Sequence, residues 1–266
     1  MADWRRILNR RDDGFPRIMG VLNVTPDSFY ADSRVNSLQD ALSRAEQMVK
    51  DGADWLDIGG ESTRPGAEPV NPEEELERVI PVVKAVRELL PEVGISIDTR
   101  RAMVARAAVE LGADMINDVS ALSDPDMLNV IIESNLPVCI MHMQGLPENM
   151  QNDPNYGDVI TEVRQSLAAV TDILLESGVS ANNIIADPGI GFGKQLHHNT
   201  TLLAAGRDIV PNTQMPLMWG VSRKRMFAHL LSREDASERL AGTLGIAAMA
   251  PTKGVDIIRV HDVREH

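Results

Sequence analysis

The chain has 266 residues, 43% of them hydrophobic, with a formal charge of −13. This suits one large α/β domain or two small ones, and the acidity speaks against nucleic acid as a partner, since phosphate binding needs a positive face. No apolar run reaches membrane-span length and no signal-like core follows the N-terminus. Disulfides are excluded by a single cysteine, Cys139, inside an apolar run, and a cytoplasmic location is expected.

Residues 1–16, polar and irregular with Arg5, Arg6, Arg10 and Arg11 close together, read as a short terminal helix or arm, and no chemistry is expected of it. A first strand, 17–22, runs into the Pro- and Asx-rich loop from Asn23 to Phe29, and a helix with apolar spacing covers 37–50. The strand 55–58 precedes the loop Gly59 to Gly66, then a helix 72–90 opens with Glu73, Glu74 and Glu75, which suit its dipole. A strand 95–97 ends at Asp98 and is followed by a helix 101–111. Another, 115–116, ends at Asn117-Asp118 and leads to a helix 125–134. A strand 137–141 ends at His142 and a long polar loop leads to a helix 158–177. Strand 184–186 carries the turn Asp187-Pro188-Gly189-Ile190-Gly191-Phe192-Gly193-Lys194, before a helix near 200–207. That turn is not a P-loop, because Gln195 stands where a Ser or Thr should follow the lysine and the glycine spacing is wrong. Three glycines in five residues call for positive φ or close backbone approach. A strand 217–221 ends at Ser222-Arg223-Lys224-Arg225, a helix spans 237–250, and the last strand, 255–260, carries Arg259 and leads to His261.

Eight strands alternating with seven helices imply a parallel sheet closed into a (β/α)8 TIM barrel, with an open doubly wound sheet as the competitor. No linker divides residues 1–266, so a single domain is expected. Barrel ligands bind where strands end. The ends read Asn23, the loop Glu61 to Arg64, Asp98, Asn117, His142, Asp187 with Lys194, Ser222 with Lys224, and Arg259 with His261, all polar. Asp98, Asn117 and Asp187 are acceptor-rich and match a guanidine-like edge such as a 2-amino-pyrimidinone, a divalent-metal cage being the alternative. Arg64, Lys224, Arg259 and His261, with Lys194 as a further member, form a cationic group that suits a phosphate-type anion, and Asn23 offers an oxygen to Mg2+. His197-His198 reads as helix capping or surface, His142 as pocket lining, and Cys139 and the methionines as packing. Ser222 has no histidine signature of a hydrolase around it.

In M-G-V-L-N-V-T-P-D-S-F (19–29), D-I-G-G-E-S-T-R-P-G (57–66), S-I-D-T (96–99), I-N-D-V (116–119), C-I-M-H-M-Q-G (139–145), D-P-G-I-G-F-G-K (187–194), G-V-S-R-K (220–224) and I-I-R-V-H-D-V (257–263), the chain closely resembles the bacterial dihydropteroate synthase family. The resemblance implies condensation of 6-hydroxymethyl-7,8-dihydropterin pyrophosphate with p-aminobenzoate to dihydropteroate, with pyrophosphate released through a carbocation-like transition state. By position, Asp98, Asn117, Asp187 and Lys224 would grip the pterin and Arg259 would stack on it. Asn23, Arg259 and His261 would hold pyrophosphate with Mg2+ near Asn23. Phe192, Lys224 and Ser222 would border p-aminobenzoate, with Thr63, Arg64 and Pro65 on the second loop. Sulfonamide competitors and a homodimer are implied too.

Three departures from the family pattern stand out. Tyr30, Ala31, Asp32 and Ser33 replace its Ser-Asp-Gly-Gly; Arg225 replaces a common serine beside the p-aminobenzoate carboxylate; and the sequence stops at His266, where the last outer helix would begin. Two rivals are a pterin-binding methyltransferase, which has no use for Lys224, Arg259 and His261 as a pyrophosphate clamp, and a catalytically silent pterin binder.

Overall fold

The computed structural model describes residues 4–24, 34–61, 70–145 and 149–266. Thr63, Arg64, Pro65 and the departures at 30–33 lie outside the described residues. Eight parallel strands form one sheet: β1 Arg17–Asn23, β2 Trp55–Gly59, β3 Gly94–Asp98, β4 Met115–Asp118, β5 Val138–Met141, β6 Ile184–Asp187, β7 Met218–Gly220 and β8 Ile257–Val260. Their order is β6-β5-β4-β3-β2-β1-β8-β7. A bridge between Ala186 and Leu217 brings β6 to β7, and the Ala186 amide donates to Pro216 O at 2.9 Å. The ring is thereby closed into the barrel expected from the alternation.

Helices are α1 Trp4–Ile7, α2 Arg34–Lys50, α3 Pro72–Leu89, α4 Ala102–Glu110, α5 Met127–Ser134, α6 Val159–Glu176, α7 Leu196–Ala205, α8 Met226–Leu231 and α9 Leu240–Ala247. Local chemistry sets several of their starts. Asn71 caps α3 by accepting from the Glu74 amide at 2.7 Å, with Pro72 in the first turn, where its missing N–H costs nothing. Asp158 caps α6 by accepting from the Ile160 and Thr161 amides. The helix after β6 starts earlier than the periodicity places it, because Gln195 and His198 form a capping box in which the Gln195 amide donates to His198 Nδ1 at 3.2 Å. The predicted helix 237–250 is replaced by the shorter α9, which follows the additional helix α8. Among the described residues no helix follows β8, and no helix is long and apolar enough to cross a membrane.

Two apolar layers follow from strand alternation. Outward strand residues pack under the helices, as Leu56, Ile58, Ile95, Ile97, Ile116, Ile140 and Ile258 do. Inward residues near the strand starts (Met19, Trp55, Met115, Cys139, Ile185, Met218 and Ile257) fill the barrel's lower end. The N-terminal arm, of which no chemistry was expected, plugs this end: Leu8 is buried there, Trp4 and Ile7 pack on the cluster, and Trp55 Nε1 donates to Ile7 O at 2.8 Å. Arg17 ties the plug down through Asn9 O, Arg6 O and Asp54. Because the lower interior is filled with apolar groups, polar inward side chains are confined to the other end.

Candidate active site

Two residues beyond the inward Trp55, Met115, Ile185 and Ile257, the same strand face carries Asp57, Asn117, Asp187 and Arg259, and Ser96 of β3 pairs in register with Asp57. Asp98 follows Ser96 on the same face. Arg259 binds two acids at once, Nε donating to Asp57 Oδ2 at 2.6 Å and Nη2 to Asp98 Oδ2 at 2.6 Å. Asn117 Nδ2 donates to that same Asp57 oxygen at 3.2 Å. Gly59 makes room, since a Cβ there would lie 3.2 Å from the Asp98 Cβ. Burial opposes the charge on Arg259, but Asp57 and Asp98 outweigh it and hold the guanidinium above its ordinary pKa. Burial pushes Asp98 up to about 7 against the pull of Arg259, with Asp57 adding to the rise. Asp98 is therefore an acid whose charge depends on what shares the pocket.

Asp187 stands at the end of β6 and accepts from the Gly189 amide at 2.7 Å. Burial raises its pKa, while the Gly189 amide and the charges of Lys224, Arg259 and Lys194 hold the rise back. Lys224 is lowered to about 8, by burial first and by Arg259, against the opposing pull of Asp187 and Asp98. Its ammonium lies 3.9 Å from the centroid of the Phe192 ring, a cation–π contact. The glycines of this turn have both properties the sequence called for. Gly189 has φ +66°, and a Cβ on it would stand 1.9 Å from His142 O; one on Gly193 (φ +59°) would stand 2.4 Å from Gln144 O.

Lys194 does not join the cations of the mouth. It is buried, and Nζ contacts His142 Nδ1 at 2.9 Å, His142 O at 3.2 Å and Phe192 O at 2.9 Å. His142, expected only to line the pocket, is thus a partner of this lysine. His261 Nδ1 lies 2.9 Å from Ser222 Oγ, which also accepts from the His261 amide at 3.1 Å, so β7 and β8 carry this pair together. Asn23 is half-buried at the end of β1, and its side chain has no hydrogen-bond partner among the described residues. Glu61 anchors both flanks of the second loop, accepting from the Val70 amide and from Arg100 Nε and Nη2, each at 3.0 Å. Arg225 is exposed, has no ion-pair partner among the described residues, and lines a cleft of about 430 Å³ with Gly191, Lys194, Gln195 and His229. Cys139 is buried with its thiol pushed up by burial, and His198 serves capping. Among the described residues no group of three His, Cys, Asp or Glu is arranged to hold a metal.

The geometry can be compared with known proteins. Residues 19–261 match the family described as pterin binding enzyme. Dihydropteroate synthase of Escherichia coli K12 is 47% identical over 254 residues, covering 96% of this chain and 89% of that protein. The Yersinia pestis dihydropteroate synthase solved with a sulfonamide drug has a TM-score of 0.88 at 43% identity, covering 96% of this chain and 92% of that one. The Xanthomonas albilineans enzyme with 4-aminobenzoic acid has a TM-score of 0.86 at 40% identity, covering 94% and 89%. The chain belongs to the dihydropteroate synthase family. Its activity is that of this family, a transferase of folate biosynthesis that makes 7,8-dihydropteroate, and the methyltransferase and silent-binder readings fall away.

Asp57 is the residue that reading strand ends overlooked. It lies in mid-strand, fully buried, and joins Asn117 to Arg259. Its other oxygen, Oδ1, has no partner among the described residues. The signal was present in W-L-D-I-G: an acid in an otherwise apolar strand, two places before an inward glycine, needs a buried cation.

Proposed function

We propose that in this member of the dihydropteroate synthase family Asp98, Asn117, Asp187 and Lys224 bind the pterin. Asn23, Arg259 and His261 bind its pyrophosphate, and Phe192, Ser222 and Lys224 border p-aminobenzoate, with Thr63 and Arg64 contributed by the second loop. The observation that carries the reading is the chain Asn117–Asp57–Arg259–Asp98, with Asp187 and Lys224 beside it. Acceptors on the strand ends suit the N–H-rich edge of a pterin. Arg259, whose guanidinium is held by two acids, sits where it can also face an anion as the C–O bond to pyrophosphate breaks.

Breaking that bond leaves positive charge on the pterin methylene carbon, which an ionised Asp98 stabilises. The aniline nitrogen attacks without a strong base, so the reaction asks no proton transfer of the Ser222–His261 pair. Closure over the mouth has to exclude water, which would trap the same carbon.

Asn23 fits a Mg2+ site of the substrate-assisted kind: it supplies one oxygen, and this ion completes its shell with phosphate oxygens and water. Bound there, the ion would neutralise charge on the leaving pyrophosphate. A cytoplasmic location and a homodimer are part of the same proposal, and the exposed apolar side chains Leu230, Leu231 and Met249 on and after α8 and α9 support the homodimer.

The test mixes the protein with both substrates and Mg2+ and follows pyrophosphate release. Release that requires p-aminobenzoate is expected, together with its abolition in Lys224→Ala. In Asp187→Asn, pterin binding should weaken by about 2 kcal/mol, as for a lost charge-assisted bond. Near-normal pterin affinity in Asp187→Asn would sink the assignment.

A further inference from the structure

The turn after β6 exposes three successive carbonyls, and each is held by a different side chain. Gln151 Nε2 donates to Gly191 O at 2.7 Å, Lys194 Nζ to Phe192 O at 2.9 Å, and Tyr156 Oη to Gly193 O at 2.7 Å. Gln151 and Tyr156 come from the long segment after β5. Of the three, only Lys194 also reaches the end of β5 itself, through His142 O and Nδ1. The lysine is 3% exposed, so these contacts are made without competition from water.

We propose that Lys194 is a positioning residue for the aryl-amine substrate: it pins the Phe192 turn to the end of β5 and so fixes the ring against which the Lys224 ammonium sits. This rests on the assignment of Phe192 and Lys224 to the p-aminobenzoate side of the site.

The donor count suits the task. An ammonium has three N–H groups for three acceptors: Phe192 O, His142 O and His142 Nδ1. Burial lowers Lys194 to about 7, with Asp187 pulling it up and Lys224 pushing it further down. Burial and Lys194 lower His142 to about 3, so the imidazole is neutral. When Lys194 loses its proton, two N–H groups still serve the two carbonyls, and the lone pair can accept from the Nδ1–H tautomer of His142. The pin therefore holds in both charge states of the lysine. An apolar side chain would leave the buried His142 carbonyl and the half-buried Phe192 carbonyl without this donor, and the close contacts of Gly189 and Gly193 leave the turn few alternative places to settle.

The test is the full-length Lys194→Met variant, with KM measured for both substrates and a melting curve alongside. The expected result is a KM for p-aminobenzoate raised about tenfold or more, as for one or two lost buried hydrogen bonds, with that for pterin pyrophosphate within about twofold. Both KM values unchanged, or raised by one common factor, would overturn the pin and leave a structural lysine. If Lys194→Met does not fold, Gln151→Ala and Tyr156→Phe loosen the same turn from its flanks. They should raise the p-aminobenzoate KM selectively, and no selective rise in either would equally overturn the proposal. Phe192→Ala separates the two levels of inference. If it leaves the p-aminobenzoate KM unchanged, the aryl-site assignment fails and takes the pin with it; if it is selective while Lys194→Met is not, only the pin fails.

Discussion

Replacing Asp57 by Asn keeps the shape of a fully buried side chain and removes one of the two negative charges that hold Arg259. The amide oxygen can still accept from Arg259 Nε and Asn117 Nδ2, so what is lost is the charge assistance of a 2.6 Å bond. Bonds to charged groups contribute about 1.5–3 kcal/mol against about 1 for neutral ones, so the difference lost is about 1 kcal/mol. At about 1.4 kcal/mol per factor of ten, this predicts kcat/KM for pterin pyrophosphate lowered about fivefold. The mechanism is a shift of the guanidinium onto Asp98, which takes that carboxylate from the reacting carbon. The KM for p-aminobenzoate should change little. Pyrophosphate release under varied pterin pyrophosphate, with a melting curve to establish folding, measures the effect. A double-mutant cycle with Arg259→Lys sharpens it: if Asp57 acts through Arg259, the double variant loses little beyond Arg259→Lys alone. Unchanged kcat/KM in a folded Asp57→Asn, or full additivity in the cycle, would refute the reasoning.

Three further outcomes are expected. In the proposed roles Asp98 acts ionised and Lys224 protonated, and burial brings their pKa values to about 7 and about 8. kcat/KM for pterin pyrophosphate should therefore fall as pH drops through about 7, where Asp98 gains its proton, and fall again as pH rises through about 8, where Lys224 loses its own. A profile with no decline on the acid side down to about pH 5 would remove Asp98 from the ionised role. Arg259→Ala should weaken pterin pyrophosphate about tenfold more than the pyrophosphate-free hydroxymethyl-dihydropterin, since only the former has an anion to lose; equal losses by calorimetry would remove the anion role. Leu8→Ala, at the plugged end, should lower stability by about 2–4 kcal/mol in denaturant unfolding while leaving both KM values alone; a stability change below about 0.5 kcal/mol would mean that the arm does not plug the barrel.

Much of the site was legible because barrel topology turns a strand end into a place. Asp98, Asn117, Asp187, Lys224 and Arg259 were identifiable from their positions after apolar runs, and the structure brings them together. The turn glycines were legible too: three in five residues implied positive φ and close approach, and Gly189 and Gly193 have both. Lys194 misled, because a lysine after glycines reads as a phosphate ligand unless the side chain's direction is known. The arm was unreadable for a related reason, since Leu8 and Trp4 are too few to form a periodic pattern and their partners lie on strands far along the chain.

The residues by themselves determined the alternation of elements, hence the parallel barrel, and the chemical character of each strand end. Both are local, set by periodicity and turn chemistry. Only the tertiary structure decided which polar groups satisfy one another. Arg259 meets Asp57 and Asp98 across separations of 202 and 161 residues, and Lys194 meets His142 rather than the mouth. Buried charges must be paired, but sequence spacing does not say with whom; closing the ring puts β8 beside β1 and turns a distant arginine toward acids on β2 and β3.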